Sequence, residues 1–213
     1  MSEFTSGHLM LAAHIGAVKK NAIPGSIIKQ LDDKWIVYLT PNDNYLESEH
    51  VPEYIITLSN DAPVLYFSNF GDHFWGYRIF SEGNEIAYLR ISYELEEELI
   101  IKTFEERYPE QDRFDYYDGE YQEEIIQFIE ENGLFEVALN EMFAECNVMS
   151  FRLFNMTDEQ VDKLSMILSS SNYREIDNVY SLVDEFKEIA GIHEMSYIRY
   201  ERVAEDGEYE SKA

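Results

Sequence analysis

Acidic and aromatic side chains crowd residues 108–124 of this sequence. Carboxylates steer a basic partner toward a surface, and tyrosine rings supply contact area at a small cost in conformational entropy. This combination of residue types is typical of protein-recognition surfaces. It predicts a binding site made of Asp112, Phe114, Asp115, Tyr116, Tyr117, Asp118, Glu120 and Tyr121.

The acidic residues around Gly119 lack the spacing of a calcium-binding loop. An EF-hand places acidic ligands two residues apart before its glycine and a glutamate six residues after it. Here Phe114 and Tyr116 occupy the first two ligand positions, and Ile125 occupies the last. We therefore expect no metal site in this stretch, and the sequence has no phosphate-binding or dinucleotide motif that would indicate a cofactor.

The five histidines do not form a recognisable metal or catalytic motif. The best catalytic candidate is His73, because a carboxylate such as that of Asp72 can orient an imidazole. Adjacent side chains on a strand point to opposite faces, however, and no nucleophile motif accompanies this pair. The alternative function is therefore a hydrolase-type enzyme whose carboxylates and histidine meet in a cleft between sheet and helices, since such sites need no local motif.

The chain carries 43 acidic residues against 16 basic ones, for a formal charge of −27. Such a charge repels nucleic-acid phosphates and anionic membranes, so direct binding to either is not expected. Residues 94–145 hold 18 acidic side chains and 3 basic ones. This excess is consistent with a solvated face of amphipathic helices or with a docking surface for a basic protein. For the charge run alone we favour the first interpretation, because charge runs usually solvate surfaces. The charge taken together with the tyrosine-rich stretch and the absence of a catalytic motif leads us to expect an inhibitor, immunity or regulatory factor that binds a basic protein surface.

Cys146 is the sole cysteine, so an internal disulfide is excluded and a reducing cytoplasm is the expected compartment. It follows an amphipathic helix and has no basic neighbour in sequence, which is typical of a buried structural thiol. Residues 8–18 are apolar, but this run is too short to span a bilayer and lacks a leading basic region. We therefore expect it to be neither a membrane span nor a signal peptide.

Residues 74–93 predict a β-hairpin, because two runs of aromatic and β-branched residues flank a Glu-Gly turn. Both faces of the hairpin are largely apolar, which predicts a central position in its sheet. A two-residue loop at Glu82 and Gly83 gives the cross-strand pairs Ile79 with Ile86, Tyr77 with Tyr88, and Trp75 with Arg90.

The N-terminal half predicts a mainly antiparallel sheet of about five short strands, because its strands are joined by turns. Besides the hairpin, strands are expected at residues 34–40, 53–59 and 63–68. An opening helix is expected over residues 6–19, and a further helical turn over residues 27–31.

From residue 94 onward, apolar residues recur with helical spacing. Helices are expected over residues 94–108, 120–132, 134–145, 157–168 and 179–190, and further strands over residues 148–154 and 195–203. The predicted class is therefore α+β, with a sheet-rich part at 1–93 and an acidic helix-rich part at 94–213. We expect these parts to form one compact domain or two closely packed subdomains.

The charge of −27 predicts that salt stabilises the fold, because like charges repel within one compact body. Raising sodium chloride from low to physiological concentration should raise the melting temperature, since ions screen charges separated by more than about 8 Å. Thermal unfolding followed by circular dichroism measures this effect. A flat response would show that the acidic groups are well separated or internally paired.

Overall fold

The computed structural model describes residues 3–41, 44–117, 119–206 and 211–212. Seven antiparallel strands form its sheet: β1 (Phe4–Leu11), β2 (Ile27–Gln30), β3 (Trp35–Leu39), β4 (Val64–Phe70), β5 (Phe74–Ser81), β6 (Asn84–Ser92) and β7 (Ser211–Lys212). Their order across the sheet is β6-β5-β4-β1-β3-β2-β7. β1 is therefore central, and β6 forms one edge, so the predicted central position of the hairpin of residues 74–93 is wrong. Both faces of the hairpin are apolar because each face packs against a core, which an edge position also allows.

The α-helices lie between the strands and, mostly, after them. They are α1 (Ile15–Asn21), α2 (Glu53–Asp61), α3 (Leu95–Arg107), α4 (Arg113–Tyr117), α5 (Gln122–Asn132), α6 (Leu134–Ala144), α7 (Asp158–Ile167), α8 (Ser170–Glu175), α9 (Ser181–Ala190) and α10 (Tyr200–Asp206). Short 3-10 helices cover Ala12–His14, Val148–Phe154 and His193–Met195. The class is α+β, which confirms the prediction. None of the described helices has both the length and the apolar character needed to cross a membrane.

The hairpin of β5 and β6 is confirmed, but its predicted register is wrong beyond the first two pairs. Ser81 pairs with Asn84 as a Glu-Gly loop requires, yet Ile79 pairs with Ala87. The extra residue is Ile86, a β-bulge, and its carbonyl accepts a hydrogen bond from Asn147 Nδ2 at 2.8 Å. A bulge places two residues of one strand opposite one of the other, so every later pair shifts.

Because of this shift, the predicted contact between Trp75 and Arg90 does not form. Trp75 lies opposite Ile91, and the Arg90 guanidinium lies 4.9 Å from the ring centre of Phe74.

Three predictions in the N-terminal half are wrong. In the expected helix at 6–19, residues 6–11 belong to β1, whereas residues 12–14 form a 3-10 turn and residues 15–19 are helical as part of α1. The expected turn at 27–31 is β2, and the expected strand at 53–59 is α2. β1 lies between β3 and β4 and buries residues on both of its faces, so Leu9, Met10 and Leu11 are apolar in succession instead of alternating with polar residues. Periodicity cannot distinguish such a strand from a buried helix. α2 is helical because one helical face, with Ile55 and Leu58, packs on the sheet.

Two expected C-terminal strands are also wrong. Residues 148–154 form a 3-10 helix, in which Phe151 and Phe154 share one face because this helix has three residues per turn. Both rings are buried. Residues 195–203 form a 3-10 end and α10, separated by Tyr197 in the left-handed region with φ of 64°. The helices expected near 94–108, 120–132, 134–145, 157–168 and 179–190 are confirmed within a few residues.

One face of the sheet packs against α7, α9 and the 3-10 helix at 148–154. Phe186 of α9 is at its centre. Its ring stacks on Tyr77 at 5.5 Å and 9° and on Phe67 at 5.8 Å and 13°, and Phe151 meets it edge-on at 5.7 Å. Such contacts add to the free energy of burying the rings themselves.

α1 and α2 cover the other face of the sheet, together with the loop of residues 44–50. Arg78, which is 6% exposed, holds this loop. Its Nη1 donates to the backbone carbonyls of Tyr45 at 2.9 Å and Ser48 at 2.7 Å. Its Nε and Nη2 donate to the two carboxylate oxygens of Glu85. The buried charge is therefore paired and hydrogen-bonded, as burial requires.

His8 is fully buried on this second face of the sheet. It lies in β1 and not in the helix that was expected over residues 6–19. Its Nδ1 lies 2.9 Å from the carbonyl of Tyr38, and a carbonyl can only accept, so Nδ1 carries the proton. In the neutral ring Nε2 then accepts from the Tyr45 hydroxyl at 2.9 Å. Burial lowers the pKa of His8 from 6.5 to about 4, against the opposing effect of the Tyr38 carbonyl.

α3, α4, α5 and α6 form a layer beside β6 with a small apolar core of Phe104, Tyr116, Ile125 and Ile129. Leu139 and Phe143 of α6 join the main core, whereas Val137 of the same helix is 50% exposed.

We predict that Leu89→Ala lowers the free energy of unfolding by about 2–5 kcal/mol, the range for large buried truncations. Leu89 is fully buried in the main core opposite Tyr77. Met166→Ala is the control, because Met166 is 64% exposed and its truncation should cost less than about 0.5 kcal/mol. Urea unfolding measures both. An unchanged transition for Leu89→Ala would mean that the strand faces are wrongly assigned.

His8 predicts a loss of stability in mild acid. Between pH 6.5 and about 4 the unfolded chain binds a proton at His8 that the folded chain does not. The free energy of unfolding therefore falls as pH is lowered through this window, by about 3 kcal/mol from this group.

The difference in unfolding free energy between the wild type and His8→Gln should accordingly narrow from pH 7 to pH 4, since the carboxylates titrate in both proteins. His50→Gln replaces an exposed histidine and is the control for the substitution itself. Parallel curves for His8→Gln would contradict the assignment of a neutral, buried His8.

Candidate functional site

The acidic and aromatic stretch between α3 and α5 has a defined local structure around α4. The Asp112 carboxylate accepts from the backbone N–H of Phe114 at 3.0 Å, and the Asp115 carboxylate accepts from the backbone N–H of Asp112 at 3.1 Å. Side-chain oxygens that bond to such N–H groups start helices. The same carboxylates that carry the charge therefore also shape the segment.

Two of the predicted aromatic residues belong to the core of this layer. Tyr116 is 7% exposed, and its ring lies 5.9 Å from that of Phe104. Tyr121 is half-buried, with its ring 5.4 Å from Phe104 and 4.6 Å from Tyr108. These rings hold α3, α4 and α5 together and offer little area to a partner.

The other two predicted aromatic residues are exposed. Phe114 is 63% exposed and Tyr117 is 50% exposed. They lie three residues apart on the five-residue helix α4, so they are neighbours on its surface. The Tyr117 hydroxyl donates to Glu97 of α3 at 2.8 Å, and this bond raises the pKa of the phenol. The bond restricts the ring, so a partner that covers it has less side-chain entropy to remove.

The predicted carboxylates differ in position. Asp112 and Glu120 are exposed and Asp115 is half-buried, while Asp118 lies outside the described residues. Beside them, Glu124 accepts a hydrogen bond from Arg107 at 2.7 Å, and bonds from the Tyr108 hydroxyl and Arg107 lower the pKa of this carboxyl. We call Asp112, Phe114, Asp115, Tyr117 and Glu120 the α4 surface.

An apolar groove near this surface was not predicted. It lies between α3, α5 and α6 and has a volume of about 300 Å³. Leu99, Ile126 and Phe135 line it, and Ile126 is 43% exposed. The sequence holds one signal for it: Ile126 is apolar but lies outside the buried stripe of α5, which contains Ile125 and Ile129. An apolar residue beside a complete stripe indicates a second contact face.

The best catalytic candidate has the geometry of a surface ion pair. His73 Nδ1 lies 3.0 Å from Glu94, and the two side chains are 59% and 46% exposed. An imidazole so open to water lacks the desolvated surroundings that tune a general base.

Cys146 is half-buried, and burial raises the pKa of its thiol, which lowers the thiolate fraction. Within the described ranges, no group of three or more His, Cys, Asp or Glu side chains is arranged to hold a metal ion.

Comparisons of this chain with protein-family models, curated proteins and solved structures gave no match.

Proposed function

We propose that this protein acts by binding another protein, and that the α4 surface contacts a basic region of that partner. The observation that carries this proposal is the exposure of Phe114 and Tyr117, 63% and 50%, among carboxylates on a short structured helix. Large exposed aromatic rings beside charge are enriched at recognition sites, where they supply much of the binding energy.

The charge distribution supports a basic partner. The chain has a formal charge of −27, and the α4 surface contributes Asp112, Asp115 and Glu120 to it. A field of one sign accelerates encounter with an opposite charge, and it repels nucleic acids and anionic lipids. α4 also carries one basic residue, Arg113. Its guanidinium lies 5.3 Å from the ring centre of Phe114, so this positive charge already has an aromatic contact within α4.

Partner classes that fit this chemistry are basic enzymes or basic regulatory domains, for which the protein would serve as an inhibitor, immunity or regulatory factor. The compartment that we propose is the cytoplasm, because the sole cysteine is a free thiol.

We predict that charge and aromatic changes at the α4 surface affect different rate constants. The partner is first captured from extract of the native host on the immobilised protein at low salt, released at high salt and purified. Asp112→Asn with Asp115→Asn should then slow its association and flatten the salt dependence, while Phe114→Ala with Tyr117→Ala should mainly speed dissociation. Surface plasmon resonance measures both constants.

The charge control is Asp33→Asn with Asp162→Asn, which removes two exposed carboxylates elsewhere. It should change the kinetics less than the α4 pair does. Tyr117→Phe keeps the ring but removes the hydroxyl that bonds to Glu97. It therefore shows whether binding depends on contact with the ring or on the hydrogen bond that restricts the ring. If both α4 variants bind with wild-type kinetics, the partner binds elsewhere and the proposal fails.

A further inference from the structure

The groove between α3, α5 and α6 combines an apolar floor with an acidic rim. We call the apolar lining, which includes Leu99, Ile126 and Ile129, the floor of the groove. Exposed carboxylates that also line the groove, among them Glu96 and Glu130, we call its rim. Ile126 exposes 43% of its surface although Ile125, the next residue, is fully buried. Covering such apolar surface with a partner removes it from water, which favours the complex.

The rim carboxylates are available for a basic partner. Glu136, also at the rim, forms an ion pair with Arg174 of α8, whereas no ion pair among the described residues involves Glu96 or Glu130. A suitable ligand would therefore place apolar groups against the floor of the groove and positive charges beside the rim carboxylates. A fatty acid or another acidic ligand would be repelled by the rim.

The walls of the groove select the backbone conformation of the occupant. All three walls are helices, whose backbone N–H and C=O groups are bonded along each helix, so the groove has no sheet edge to pair with an extended peptide. A helix satisfies its own backbone and presents apolar side chains at positions i, i+3, i+4 and i+7. A helical occupant therefore fits this groove better than an extended one.

The groove and the α4 surface both involve the first turn of α3. Glu96 lies at the groove rim, and the adjacent Glu97 accepts the hydrogen bond from Tyr117. A single partner can therefore contact both places.

We propose that this groove binds an amphipathic helix of the partner protein, with its apolar stripe on Ile126 and its lysine or arginine residues facing Glu96 and Glu130. This proposal rests on the proposed function and adds the structural element by which the partner is recognised. A second copy of the chain is a poor occupant, because each copy has a formal charge of −27.

The test uses the full chain and a synthetic peptide of about 18 residues, with leucine at helical spacing and lysine at the flanking positions. A peptide of the same composition in shuffled order controls for charge alone. In fluorescence anisotropy, the striped peptide should have a Kd at least about tenfold below that of the shuffled one. Equal affinities would overturn the proposal, because charge would then account for all binding.

Ile126→Glu should raise the Kd of the striped peptide by about tenfold or more, since it places a charge in the apolar floor. Met166→Glu, at a residue 64% exposed on α7, should leave the Kd unchanged. Circular dichroism checks that both variants keep the wild-type melting curve. Should Ile126→Glu unfold, Glu96→Gln with Glu130→Gln is the second variant. It should weaken binding at low salt and reduce the salt dependence, whereas Asp33→Asn with Asp162→Asn should change them less.

Unchanged binding in the folded groove variants would overturn the proposal. Sedimentation that shows self-association lost in Ile126→Glu would also overturn it, because a second copy would then be the occupant. Binding measurements with the purified partner distinguish failure of the groove proposal from failure of the proposed function. If partner binding depends on Phe114 and Tyr117 but not on Ile126, the groove proposal fails while the α4 surface stands.

Discussion

The packing of Phe186 against the sheet is the contact on which the rest of this fold depends. Its ring stacks on Tyr77 of β5 and Phe67 of β4 and lies 5.1 Å from Trp75. These three sheet residues are fully buried, and their exposure to water would cost more free energy than any surface interaction in the molecule supplies. The last third of the chain must therefore return across the sheet, which brings α9 and the neighbouring helices to one face.

The opposite face of the sheet adds a second constraint, because it is apolar and also contains polar groups that need partners. His8 bonds to Tyr38 and Tyr45, and Arg78 bonds to Glu85 and to the carbonyls of the 44–50 loop. These bonds offset the loss of hydration and fix the loop over the sheet. With both faces covered, the sheet is a rigid scaffold for the helices at its β6 edge.

The layer of α3–α6 joins this scaffold at few places and keeps a free outer surface. α6 contributes Leu139 and Phe143 to the main core, and Arg90 of β6 forms two hydrogen bonds with Glu98 of α3. The backbone of Tyr88 bonds to Glu145, which covers part of the exposed edge strand. The small core of this layer buries only the side chains on the inner faces of its helices. Phe114, Tyr117 and Ile126 therefore stay exposed. The proposed binding surfaces rest on these exposed residues.

The sequence by itself determined the class of the fold, the hairpin and most C-terminal helices. Those elements have local causes: the Glu-Gly turn, the Thr157 capping box and the left-handed caps at Gly133 and Gly191 act within a few residues. It also identified the acidic and aromatic stretch, since charge and residue type need no tertiary information.

Only the tertiary structure decided what depends on distant partners. β1 is a strand because β3 and β4 bury both its sides, and the bulge at Ile86 shifts the hairpin register, with its carbonyl bonded to Asn147. The same holds within the candidate site, where Tyr116 and Phe114 differ in exposure because only Tyr116 turns toward Phe104. Burial is set by contacts between segments far apart in sequence. An apolar pattern predicts that a residue is buried, but it does not identify the residues that bury it.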